Sequence, residues 1–112
     1  MAVSPPNGSG VVDDSAEFIS AVSLLAALEA DTAHPSHRTV LPYLGMARAE
    51  LTDFGQRRPA ALVPVDVGDL AVGLRDLDEQ LALVQAHSPV LQHTLRIDAA
   101  RRILGRGRAA LG

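Results

Sequence analysis

Cysteine is absent from the 112 residues, and so is lysine, because all ten basic residues are arginine. The first absence removes disulfides, thiolate metal ligands and cysteine nucleophiles together. The second removes Schiff-base chemistry and the phosphate-gripping lysine of a P-loop. Aromatic residues are scarce: Phe18, Tyr43 and Phe54 are the whole set, too few for a surface that stacks nucleic-acid bases. The apolar stretches break off before the 18 or so residues that a membrane span needs, which argues against a membrane partner. The first ten residues, "MAVSPPNGSG", hold neither a basic nor an apolar signal region, and a cytoplasmic address is the expectation.

What is present suits one globular domain. Hydrophobic residues make up 47% and charged residues 21% of the chain, an ordinary balance for a protein with a packed core. The net charge of −3 gives no overall attraction to polyanions. Residues 1–12, rich in Pro, Gly and Ser, read as a disordered lead. Residues 13–108 read as a single helical domain.

Four segments carry helical spacing. Over 14–33, Phe18, Val22, Leu25 and Leu28 share a stripe, with Asp14 as N-cap and Glu17 as its capping-box partner. Over 39–55, Val40, Leu44, Ala47, Leu51 and Phe54 follow at steps of 4, 3, 4 and 3 and stop at Gly55. Pro42 fits there if Thr39 is the cap, since it then falls in the first turn, whose N–H groups lack intrahelical partners. Over 66–87, the stripe Val67, Leu70, Leu74, Leu77, Leu81 and Val84 follows Asp66 as cap. Over 89–105, Ser88 and Pro89 open a helix through Leu91, Thr94, Ile97, Ala100 and Leu104, which Gly105 and Gly107 fray out. The expected core is therefore Phe18, Val22, Leu25, Leu28, Leu44, Leu51, Phe54, Leu70, Leu74, Leu77, Leu81, Ile97 and Leu104. The link "RRPAALVPV" from Arg57 to Val65 holds two prolines and no period, so an extended crossover on the bundle is expected there and strands nowhere else.

These segments predict an all-α fold, a four-helix bundle of two antiparallel helical hairpins in up-down-up-down order. Charge alternates along the chain: five acids and no arginine in 1–37, four arginines against two acids in 38–58, one against five in 59–86, and five against one in 87–112. Opposite signs on successive helices favour their pairing. A shift of 53 residues lays Ala33-His34-Pro35-Ser36 over Ala86-His87-Ser88-Pro89, and the two hairpin turns then correspond.

In that arrangement the first and third turns share an end, where His34, His37, His87 and His93 would gather beside Asp31. Neutral imidazoles with a carboxylate suit zinc or another divalent transition metal. Their joint protonation near pH 6.5 would alternatively make a pH-dependent contact, and the plainer role of such histidines is to sit on helix-terminal carbonyls. Arg96, Arg101, Arg102, Arg106 and Arg108 form a basic C-terminal surface, here read as facing a protein partner because no nucleic-acid recognition signature accompanies it. Asp31, His34 and Ser36 could in principle serve nucleophilic catalysis, but they lie in one short loop without an oxyanion hole.

The functional expectation is a small cytosolic interaction or accessory protein without catalytic activity, acting through self-association or a protein partner and requiring no cofactor. Its alternatives are a metal-binding or metal-responsive protein using the histidine cluster, and a nucleic-acid-associated regulator using the basic helix. Extra leucines outside the main stripes, Leu24, Leu83 and Leu95, favour self-association.

Overall fold

A computed structural model describes residues 11–13, 15–31, 33–53 and 57–111. In chain order they form β1 (Val11–Asp13), α1 (Ala16–Ala30), α2 (His37–Arg48), a π-helical turn (Ala49–Asp53), β2 (Arg57–Pro59), α3 (Leu70–His87) and α4 (Leu91–Ala110). The molecule is mostly helical, with four α-helices and a small two-stranded sheet among the described residues. No helix among them is long and apolar enough to cross a membrane.

The helix ends differ from expectation for local reasons. α1 is capped by Ser15, whose Oγ accepts from the Phe18 amide at 3.2 Å; Asp14 lies outside the described residues, as does Phe54. Ser and Asp cap equally well, so sequence could not choose between neighbours. α2 starts at His37, two residues before the expected Thr39 cap, and Pro42 therefore lies inside the helix. Its ring stands on the exposed side, where the hydrogen bond lost at Arg38 is open to water. α3 starts at Leu70, not Asp66, because Asp69 accepts from the Val72 amide at 3.1 Å. α4 opens at Leu91 without a side-chain cap, and it runs through Gly105 and Gly107 to Ala110. Those glycines do not fray it: Gly107 is a packing residue of the helix.

The strands are a second departure from the all-helical expectation. β1 and β2 pair in parallel, Val11 with Arg57, Val12 with Arg58 and Asp13 with Pro59. Three residues each are too short to display the alternation that betrays a strand in sequence.

Side-chain contacts fix how the helices run. Glu17 at the start of α1 meets His87 at the end of α3, at 2.7 Å, while Leu28 near the end of α1 lies against Gly73 near the start of α3. These two helices run in opposite directions. Gln85 in α3 reaches the Thr94 carbonyl of α4 at 3.0 Å, and farther along Arg101 bonds Asp78 at 2.9 Å. Tyr43 in α2 touches Gly107 near the end of α4, whereas Glu50, just past α2, pairs with Arg96 near the start of α4.

α3 therefore starts at the end of the bundle where α1 finishes, and residues 60–69 carry the chain the full length between the helix pairs. Midway, the Val63 amide donates to Ser23 Oγ at 3.0 Å. The expected up-down-up-down order is replaced by one in which α2 and α3 point the same way. An extended chain of those ten residues reaches about 33 Å, more than the roughly 27 Å of an 18-residue helix such as α3.

The four helices enclose one core. Phe18, Leu25, Leu28, Leu44, Leu70, Leu74, Leu77, Leu81, Ile97 and Leu104 are its largest fully enclosed side chains, with Val22 and Leu51 also buried. Val65 and Val67 of the crossover pack against it.

Candidate functional site

The crossover separates the histidines. His34 and His37 lie beyond α1, at the end where α3 begins, and Asp31 is with them. His87 is at the opposite end, where it donates from Nδ1 to the Glu17 carboxylate, and His93 is there too, beside Arg57. The shared histidine pole expected from sequence does not exist, because it required the third turn to return to the end of the first.

One ring nitrogen each of His37 and His34 is also engaged locally. His37 is buried, and its Nε2–H donates to the carbonyls of Leu28 and Glu29 at 3.1 and 3.0 Å. It closes the C-terminal turn of α1, whose last carbonyls have no helical partners. His34 Nδ1 accepts from the Ser36 amide at 3.1 Å, and Asp31 Oδ1 accepts from the Ala33 amide at 3.2 Å. Asp31, His34 and Ser36 thus build a turn. Among the described residues no group of three or more histidine or carboxylate side chains is placed to hold a metal ion.

A junction that the sequence did not single out lies at the His87 end. Arg57, only 9% exposed, donates from Nε to Asp13 Oδ2 at 2.6 Å, and its Nη2 pairs with the same carboxylate. Its guanidinium carbon stands 4.1 Å above the Phe18 ring centroid. This pair ties β1 to β2 and seats both on α1. His93 stands beside it: burial first, and the Arg57 charge second, lower its pKa, while Asp13 pulls the other way. The space enclosed by Phe18, Leu51, Arg57, His93 and Ile97 is about the size of one water molecule, so this is a structural clasp without room for a substrate. A buried arginine on a two-residue arginine run before proline has no periodic signal to reveal it.

The basic residues of α4 are largely committed to neighbours. Arg96 bonds Glu50, Arg101 bonds Asp78 and Gln85, and Arg102 bonds Asp98 from Nε at 2.9 Å. The Asp78 hydrogen bond raises the Arg101 pKa, as expected for a donor held in its charged form. Arg108, with Arg75, borders a shallow groove of about 520 Å3 between α3 and α4, floored by Ala71, Gly105 and Ala109.

The apolar surface is the most distinctive property of the exterior. Leu91 is 71% exposed, Leu95 59% and Leu83 53%. Leu91 and Leu95 are one turn apart on α4. The spacing sets Leu24, Leu83 and Leu95 apart from the core stripes; Leu83 and Leu95 are exposed, but Leu24 is buried in the core, and Leu91, on the helix stripe by its spacing, instead faces water.

No family model matches this chain, and neither a curated protein nor a solved structure matches it.

Proposed function

We propose that this chain is a small cytoplasmic interaction or accessory domain, built of two antiparallel helical hairpins joined by the extended crossover, which acts by docking on protein surface and not by catalysis. The observation that carries the reading is the exposed apolar set Leu83, Leu91 and Leu95 on a molecule whose own core is already closed. Leu91 and Leu95 stand one turn apart on an exposed face of α4, and Leu83 is exposed separately on α3; large exposed apolar side chains cost solubility, and covering them is what an interaction surface does.

The reading is tested by changing Leu83, Leu91 and Leu95 together to serine. Native pull-down and sedimentation of the unaltered chain should recover a second protein or a second copy of itself, and the triple variant, with unchanged circular dichroism, should recover neither. A chain that remains solitary in both measurements would reject the proposal.

A further inference from the structure

The outward side of α4 has a regular composition. Leu91, Leu95, Asp98, Arg102, Gly105 and Ala109 follow at steps of 4, 3, 4, 3 and 4, the spacing that keeps a stripe turned toward a partner helix. Ile97, Ala100, Leu104 and Gly107 on the other side bury α4 against its own bundle. The stripe itself is outside the core: both leucines and Arg102, Gly105 and Ala109 are exposed, and Asp98 is half-buried. A Cβ built on Gly105 meets nothing within 4 Å. Glycine inside a helix costs stability relative to alanine, and no packing among the described residues requires it here.

Reversed, the stripe complements itself. An antiparallel pairing centred level with Ala100 sets Leu91 opposite Ala109, Leu95 opposite Gly105 and Asp98 opposite Arg102. Large side chains meet small ones at both ends, and opposite charges meet in the middle. A parallel pairing would place Asp98 on Asp98 and Arg102 on Arg102, with glycine facing glycine and a gap between them.

We propose that α4 docks antiparallel on α4 of a second copy of this chain, across a two-fold axis level with Ala100. The inference rests on the interaction reading above and adds the partner, the surface and the orientation. The leucines of each copy enter the groove beside Gly105 and Ala109 of the other, and the groove's 520 Å3 of open space receives them. The Asp98–Arg102 pair within each helix joins its counterpart in a ring of four alternating charges. The contact is isologous, so it closes at two copies and does not propagate. One helix pair covers less than a standard interface of about 1,600 Å2, in the size range of weak and transient contacts.

Sedimentation equilibrium of the full chain through the micromolar range should give a monomer–dimer equilibrium. Asp98→Arg and Arg102→Asp should each weaken association at least tenfold and, mixed in equal amounts, restore it, because one variant is wholly cationic and the other wholly anionic at the centre. Orientation is read by cross-linking, since no native cysteine competes. A mixture of Leu95→Cys and Gly105→Cys chains should form a disulfide that neither variant forms alone. Dimers that both charge variants retain, or cross-links within each single variant, would overturn this pairing and leave the interaction reading standing. A monomer at every concentration would overturn it too, and the pull-down described above then decides the broader reading on a different protein.

Discussion

Tyr43 and Gly107 meet where α2 crosses α4: a Cβ on Gly107 would lie 3.1 Å from the Tyr43 Cβ and 3.2 Å from its Cγ. Those atoms are at the root of the side chain and cannot swing away, so the helices would have to part. Gly107→Ala should destabilise the fold by about 1–3 kcal/mol. Gly105, two residues earlier, faces open space, and Gly105→Ala should stabilise the monomer by up to about 1 kcal/mol through helix propensity alone. Denaturant midpoints in dilute solution measure both; equal effects would mean that the crossing is looser than described.

Arg57 and Asp13 form the clasp between the strands, with side chains only 10% and 13% exposed. Arg57→Ala strands a carboxylate in a nearly dry site and should cost about 3 kcal/mol. Replacing both partners with apolar residues, Arg57→Met with Asp13→Leu, should recover most of that loss. Chemical denaturation of the three chains checks the order, and a double variant no better than Arg57→Ala would deny that desolvated charge is the cause.

His93 gives the fold a pH dependence of known sign. Its pKa in the folded chain is held below the ordinary 6.5 by burial and then by Arg57. Between the folded value and 6.5 the unfolded chain binds more protons, so stability rises with pH through that window. The contribution is complete above about 6.5 and is lost as pH falls toward the folded value. His93→Gln should flatten this slope in urea midpoints taken from neutral pH down to about pH 5; an unchanged slope would remove His93 as its source.

The helices were legible because burial leaves a period. Phe18, Val22, Leu25 and Leu28 on α1, and Leu70, Leu74, Leu77 and Leu81 on α3, are spaced by helical geometry and face the core. Connectivity has no such period. The prolines at 59 and 64 marked residues 57–65 as extended, yet an extended link can turn back at once or run the full length, and only packing of Val65 and Val67 on the core selects the second. His37 is misleading for a related reason: a histidine three residues past another resembles a ligand pair, whereas its Nε2–H completes α1. On α4 the surplus Leu95 was visible, but the exposure of Leu91 followed from how far the helix is rotated, which sequence spacing leaves open.

The separated histidines are directly measurable. With His34→Cys and His87→Cys labelled in a chain that has no other cysteine, the probes should sit about 27 Å apart or more, the length of an 18-residue helix. A distance below about 20 Å, two helix diameters, would restore a common end for both turns.

The crossover that runs the bundle's length also sets a limit on how short the chain can become. Its ten residues, 60–69, have about 6 Å to spare over the roughly 27 Å they must cover when fully stretched. Deleting four of them leaves a reach of about 20 Å, and the two halves of a single chain can no longer close on each other. Each half would still find its complement on another molecule, so the shortened protein should trade halves between chains and appear as an entwined, slowly exchanging dimer.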